Sequence, residues 1–462
     1  MSKQFDPVTV KVLWNRLAAI VDEAAVGLVR TAYSVVIRDF HDYCIGVFDR
    51  RGRMLVHSTR TTPGFIGMMP YVVDHFLNEV GADNIFPGDV LVTKDPWIAT
   101  GHNNDLTITT PIFAGEELLG FAVCVVHHLD IGGRMGSLQS VDMYEEGLRI
   151  PILKLYERNR PNPTFFSLFK ANVRMSDKVV GDLEAQLSAN EICVRGVLRM
   201  AEEYRLDSLD DLASTIIDLS DQGMRKRIGE IPDGVYEHRL TVPGISEPDR
   251  LIELKVKVTV AGEKIVIAYD GTSPEGRDAI NVTLPFTVSY SVFAIKAVID
   301  PDLPSNAGSW RSIEVTAPQG SILNCQPPVS TYGRTYIAHL LPELILGALA
   351  PAMQGRIIAP CGSSPVVALH FPASAKAASG FSRWSRTWGD TAAVISRTAI
   401  RRWPSPATPP PFPSKSSSTR PRSSTANANC LRTRPAPAGV AAGSVRRSSL
   451  PFHPAGRRRV AR

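Results

Sequence analysis

The chain has 462 residues, 44% hydrophobic and 21% charged, a composition that suits a globular protein with room for two or three cores and excludes a disordered or fibrous chain. No stretch reaches the ~18 apolar residues of a membrane span, no basic segment leads into an apolar run at the N-terminus, and the six scattered cysteines form no Cys-x-x-Cys pair, so a reducing cytoplasm is expected. The net charge of +6 is uneven: 17 of 51 basic and one of 45 acidic residues lie in 371–462, leaving 34 basic against 44 acidic residues, a net of −10, in 1–370.

Asp6-Pro7 opens the first element, because Asp caps a helix and Pro fits its first turn. Apolar residues at Val10, Leu13, Leu17, Ile20, Val21, Ala24, Ala25 and Leu28 then predict an amphipathic helix from Val8 to Ala32. Tyr43–Asp49 and Met54–His57 read as two strands joined by a Gly-containing turn at 49–53. Met68–Val80 reads as a helix and Gly88–Thr93 as a strand running into Lys94-Asp95-Pro96-Trp97. Leu106–Phe113 and Leu119–Val126 form a second hairpin around the turn Ala114–Glu117. Residues 168–230 are helical, with Leu183, Leu187, Ile192 and Val197 at helical spacing and a cap at Asp207–Asp210. Ile252, Leu254, Val256, Val258 and Val260 alternate with polar residues, the period of a half-buried antiparallel strand. The turn at Ala261-Gly262-Glu263 leads to a partner strand at Lys264–Tyr269, and 281–350 mix strand and helix signals. The expected fold class is α+β, with mixed and antiparallel sheets and helices. Its expected parts are an N-terminal α+β region (1–165), a helical region (166–232), a β-rich α+β region (233–370) and a basic low-complexity tail (371–462).

The second hairpin carries the chemistry. His102-Asn103-Asn104-Asp105 precedes its first strand and His127-His128-Leu129-Asp130 closes its second, so His-x-x-Asp occurs twice at one end of one sheet. Paired positions in an antiparallel hairpin sum to a constant. A turn centred near Gly115 and Glu116 therefore sets Asp105 opposite Val126 or His127. Imidazole nitrogen with carboxylate oxygen suits divalent metals of the manganese, zinc and iron class. Gly101 and Gly132-Gly133 would give the flanking backbone the freedom such a site needs. A lone His-x-x-Asp is more often a capped turn, and only the coincidence of two favours a metal site. His41 and Asp42 could join it, although their spacing does not demand it. Glu145-Glu146-Gly147-Leu148-Arg149 offers carboxylates and a guanidinium for acid–base work, or a solvated loop. No Gly-x-x-x-x-Gly-Lys-Ser/Thr, Gly-x-Gly-x-x-Gly or Gly-x-Ser-x-Gly occurs, so the chain has no recognisable nucleotide cradle or nucleophile elbow.

Several of these segments together resemble the hydantoinase B/oxoprolinase family: Thr31–Arg38, Gly88-Asp89-Val90 with Asp95-Pro96-Trp97, Gly101–Asp105, His127–Gly133, Glu146–Pro151, Asp270–Pro274, Asn306-Ala307-Gly308 and Ala317–Ser321. The resemblance spans about residues 7–365. It implies a subunit of an ATP-dependent enzyme that opens cyclic amides such as hydantoins or 5-oxoproline. The alternative it offers is a subunit of an ATP-dependent carboxylase of small ketones. ATP would bind a separate hydantoinase A-like partner, which accounts for the missing phosphate loop. In the related acetone carboxylases the corresponding subunit holds manganese. By motif the metal ligands would be His102, Asp105 and His127, with Asp130 and Glu146 as catalytic residues beside them.

The tail breaks with this pattern. Six of the ten residues Pro404–Pro413 are proline, no amphipathic period survives, and such a segment buries too little apolar surface to offset its ordering entropy. Its charge could attract an anionic polymer, but it lacks aromatic interleaving and any nucleic-acid fold motif. Neither nucleic acid nor membrane is expected as a partner. The family continues instead with glycine-rich sequence, and the Arg/Pro/Ser/Ala mixture here reads as GC-rich coding sequence out of frame from near residues 366–395. Were the tail genuine, the chain would be a truncated and inactive member. Sequencing the gene across that window is expected to expose a frameshift; an intact frame encoding this tail would overturn the reading.

Overall fold

The computed structural model describes residues 5–134, 136–357, 366–371 and 383–388. Helices are α1 (Pro7–Thr31), α2 (Val35–Arg38), α3 (Pro63–Ile66), α4 (Met69–Val80), α5 (Met143–Glu146), α6 (Pro163–Asn172), α7 (Ser176–Tyr204), α8 (Asp210–Ile228), α9 (Leu284–Ile299), α10 (Thr335–Ala338) and α11 (Leu341–Leu349). Strands are β1 (Tyr43–Asp49), β2 (Met54–His57), β3 (Val90–Thr93), β4 (Asp105–Ala114), β5 (Glu117–His127), β6 (Leu153–Glu157), β7 (Arg160–Pro161), β8 (Gly234–Pro243), β9 (Leu251–Ala261), β10 (Lys264–Ala268), β11 (Ile313–Thr316), β12 (Val366–Phe371) and β13 (Arg383–Trp388). This is the expected α+β class. The expectation of a disordered tail falls, apart from Phe371 and β13, on residues outside those described.

Local chemistry accounts for the first elements. Asp6 caps α1, its Oδ1 accepting from the Val8 and Thr9 amides at 3.0 Å each. The stripe Val10, Leu13, Leu17, Val21, Ala24 and Leu28 is buried. At roughly 1.5–3 kcal/mol for each fully buried large aliphatic side chain, this packing rather than intrinsic propensity sustains the helix. The cap expected at Asp207–Asp210 takes another form. Leu209 holds the cap position of α8, Ser208 Oγ accepts from the Asp210 amide, and Asp210 and Asp211 face the positive end of the helix.

Seven strands form an antiparallel sheet in the order β2-β1-β5-β4-β3-β6-β7. Both faces of its centre are covered, which is why β1 is buried at every position. On one face Ile45, Val47, Leu106, Ile108, Cys124 and Val126 pack with α1 and α7. On the other, Cys44, Phe48, Leu91, Val123 and Val125 pack with α4. The helices of 166–232 thus share a core with the first sheet. A second sheet runs β11-β10-β9-β8, with β10 and β11 parallel and the other pairs antiparallel. The alternating side of β9 packs with α9 and α11. Among the described residues no helix is long and apolar enough to cross a membrane.

Two polar residues on the buried side of α7 tie β4 to β5. Gln186 Nε2 donates to the Leu106 carbonyl at 3.0 Å and the Cys124 carbonyl at 3.3 Å. Asn190 Nδ2 donates to Ala122 at 3.0 Å and Ile108 at 3.4 Å. Gln186 Oε1 also accepts from His128 Nε2 at 3.0 Å. Gln186→Leu leaves that imidazole N–H buried and unpaired, at a cost of roughly 1–3 kcal/mol. Chemical denaturation should show a loss of that size with an unchanged denaturant slope.

Candidate metal centre

The register of three adjacent strands builds the site. Asp105 on β4 pairs with His127 on β5. Asp42, just before β1, accepts the His127 amide at 3.1 Å. Directly paired residues share a face, so Asp42, His127 and Asp105 form one row across the end of the sheet. His102 folds back onto this row from the loop before β4. Gly101 makes that turn with φ +83°. A Cβ there would lie 2.9 Å from Arg334 Cδ and 3.0 Å from Thr283 Oγ1.

His102 Nε2 lies 2.8 Å from Asp105 Oδ1, and His127 Nδ1 lies 3.0 Å from the same oxygen. The ligand atoms of all three residues fall within 4.8 Å of one another. Donors bound to one zinc-class ion at ~2.1 Å stand roughly 3.0–3.4 Å apart; the two contacts here are slightly shorter, at hydrogen-bond length, and the cluster could close on a cation with a small outward shift. Asp42 Oδ2 is further out, 3.9 Å from His127 Nδ1. Its Oδ1 is held by the Thr62 hydroxyl at 2.8 Å.

Protonation sharpens the fit. His102 Nδ1 faces the Tyr332 carbonyl at 3.2 Å. A carbonyl only accepts, so Nδ1 carries the hydrogen. Burial, reinforced by the Arg334 charge, pulls the His102 pKa down to about 4. Near neutral pH its Nε2 therefore presents a lone pair. That nitrogen is buried, finds no hydrogen-bond partner, and stands against a carboxylate oxygen. Two electron-rich atoms at that distance repel unless a proton or a metal cation lies between them. Burial alone would raise the Asp105 pKa, but His102 and Arg334 hold it well below the usual range. It is therefore an anion there. Side-chain exposure is 0% for Asp105, 6% for His102 and 19% for His127, so the site opens beside His127.

Asp130 and Glu146 lie outside the cluster of ligand atoms, with Glu146 Oε2 3.5 Å from Asn103 Nδ2. The Asp130 carboxylate accepts from the backbone amides of Gly132, Arg174 and Met175 and from Arg174 Nη1. It anchors the loop after β5 to the start of α7. Glu146 Oε1 takes the Ser330 hydroxyl and the Thr331 and Tyr332 amides at 2.5, 2.5 and 2.8 Å. It holds the turn segment whose Tyr332 carbonyl orients His102. The structure thus brings His102, Asp105 and His127 together, and gives the two carboxylates expected to be catalytic backbone-holding positions around them.

Arg334, Tyr332 and Lys94 carry no local signal in the sequence. Lys94 follows β3, and alternation turns it to the α7 side of the sheet. Its ammonium is fully buried and finds no hydrogen-bond partner. Burial pulls its pKa down to about 7, against the attraction of Asp105 and Asp130. Nearby His128, its Nε2 bound to Gln186, is likewise pulled down to about 4 by burial.

The model of the family described as Hydantoinase B/oxoprolinase matches residues 6–391. A putative D-/L-hydantoinase subunit from Pseudomonas sp. (strain NS671) is 30% identical over 383 residues, covering 79% of this chain and 65% of that protein. The beta subunit of the Pseudomonas jessenii caprolactamase is 26% identical over 362 residues, covering 77% and 62%. The crystal structure of the ATP-dependent caprolactamase from Pseudomonas jessenii superimposes with a TM-score of 0.74 at 25% identity, over 80% of this chain and 65% of that one. Nucleotide-free acetone carboxylase gives 0.69 at 18% identity, over 76% and 48%, a likeness of fold alone. The chain spans just under two thirds of the length of these curated relatives.

Lys94 offers a pH test. Its pKa falls from about 10.4 in an unfolded chain to about 7 in the fold. Between those values the unfolded state binds more protons, so the penalty of burying Lys94 is full below pH 7 and fades as pH rises to ~10. Lys94→Met should stabilise the protein by a few kcal/mol at pH 6 (about 1.4 kcal/mol per unit of displacement). Denaturation midpoints of the two proteins should converge as pH approaches 10.

Proposed function

Because the chain belongs to the hydantoinase B/oxoprolinase family, we propose that it is the metal-binding subunit of an ATP-dependent cyclic-amide hydrolase. The observation that carries this reading is the cluster of His102, Asp105 and His127, whose ligand atoms lie within 4.8 Å of one another, with His102 Nδ1 directed at the Tyr332 carbonyl. Single subunits of a hydantoinase and of a caprolactamase among the relatives support the reaction class and a separate partner. In this reading ATP binds the hydantoinase A-like partner, in keeping with the absence of any phosphate-loop motif from this sequence. The likeness to acetone carboxylase is one of fold and carries no carboxylase reading.

His102, Asp105 and His127 would hold a divalent ion of the manganese, zinc or iron class, with Asp42 behind His127. Such an ion polarises an amide carbonyl or readies a water for attack. The residues do the rest. Tyr332 fixes the tautomer and ring plane of His102, as outer hydrogen bonds do for metal-binding histidines. The fully buried Asp105 supplies the negative charge. The partial exposure of His127 leaves the approach for a small cyclic amide on its side. Asp130 and Glu146 contribute by holding the two loops that frame this approach.

Replacing His102 and His127 together with Ala should abolish metal retention, read by elemental analysis of the purified protein. It should also abolish ATP-dependent ring opening of hydantoin, 5-oxoproline or caprolactam with the partner present, while circular dichroism stays that of the native fold. Full activity in the double variant would sink the proposal.

A further inference from the structure

We infer that Arg334 is a positioning residue of the metal centre, confining Asp105 to one ligating oxygen and locking the loop that carries His102. The inference rests on the metal-centre reading above. Arg334 is 3% exposed. Its Nη2 donates to Asp105 Oδ2 at 2.8 Å, while Oδ1 is the oxygen that faces both histidines. Its Nε donates to the Thr100 carbonyl at 2.7 Å, two residues before His102. The guanidinium lies 4.1 Å from the centre of the Phe286 ring, a contact that fixes its plane. One rigid fork therefore sets both members of the His102–Asp105 pair, and only arginine offers that geometry.

The cost of this arrangement argues for a role beyond stability. A buried carboxylate–guanidinium pair seldom repays its desolvation, and apolar residues of similar volume would hold the fold as well. What the pair secures is coordination mode. A free carboxylate can bind a cation through both oxygens; with Oδ2 occupied by Nη2, only Oδ1 remains. Gly101 is part of the same device, since a side chain there would meet the Arg334 side chain at 2.9–3.1 Å.

The test loads the full-length protein with Mn(II) and compares wild type, Arg334→Gln and Arg334→Lys by electron paramagnetic resonance and chelator competition. Loss of the fork should change the Mn(II) spectrum in both variants. It should weaken Mn(II) binding by about 10–100-fold in Arg334→Gln, as loss of an outer partner does elsewhere, and by less in Arg334→Lys. Lysine keeps the charge, but a single ammonium cannot serve the Thr100 carbonyl and Asp105 Oδ2 with the fork's geometry. A wild-type spectrum and affinity in Arg334→Gln would overturn the inference while leaving the metal-centre reading intact. If Arg334→Gln does not fold, a wild-type spectrum in Arg334→Lys overturns it equally. Failure of the wild-type protein to bind Mn(II), Zn(II) or Fe(II) would overturn the metal-centre reading itself, and this inference with it.

Discussion

Asp105 opposite His127 is the pairing on which the site depends, and it is a matter of strand register before it is a matter of chemistry. A slip of one residue between β4 and β5 would send one of the two to the opposite face of the sheet. Several devices hold the register. The strands are joined through Gly115-Glu116, with Gly115 at φ +62°, and both faces behind the hairpin are apolar and buried. Gln186 and Asn190 each reach carbonyls on both strands. A helix that packed with apolar groups alone would tolerate sliding; one that donates to fixed carbonyls on two strands does not.

The same row concentrates charge where water is absent. Asp105 is fully buried, with an imidazole on either side of Oδ1 and a guanidinium on Oδ2. Lys94 lies across the sheet, without a hydrogen-bond partner. These groups would be expensive as a structural core, since an unpaired buried polar atom costs about 1–3 kcal/mol. The orphaned His102 Nε2 is the sharpest case. Its Nδ1 is committed to Tyr332, so no tautomer satisfies both contacts, and its depressed pKa argues against a second proton. A cation shared with Asp105 and His127, as proposed, would remove the conflict.

The sequence made the hairpin legible because alternation and a short turn are local signals, and a paired register is arithmetic upon them. It set Asp105 against Val126 or His127, of which His127 is the observed partner, and the family motifs marked the same residues. The two His-x-x-Asp segments, alike in sequence, differ in where they fall on the hairpin. The first segment precedes its strand, so Asp105 begins β4 and His102 folds back over it. The second follows its strand, so Asp130 has left the sheet and meets the start of α7. Glu146 lies close by in space, its Oε1 held by three donors at 330–332 and its Oε2 3.5 Å from Asn103 Nδ2, next to His102. Nothing in the sequence near residue 102 announces Tyr332 or Arg334, because their positions depend on packing between segments some 230 residues apart.

That separation bears on how the parts of the chain depend on each other. All three proposed ligands lie within residues 102–127, inside the N-terminal α+β region. The groups that orient them come from 332–334, in the β-rich region, and reach across on the short segment that leads into α10. The Phe286 ring behind Arg334 belongs to α9 in the same region, and Ser289 of α9 donates to the Gly64 carbonyl of α3 at 2.8 Å. The packing of α9 against α3 is thus continuous with the placement of the guanidinium. Residues on both sides of position 232 therefore line the candidate site, His102, Asp105 and His127 before it and Tyr332 and Arg334 after it. In the proposed reading the ligands come from one part and the groups that orient them from the other, so a site formed by the first part alone would keep its donors and lose the fork that aims them.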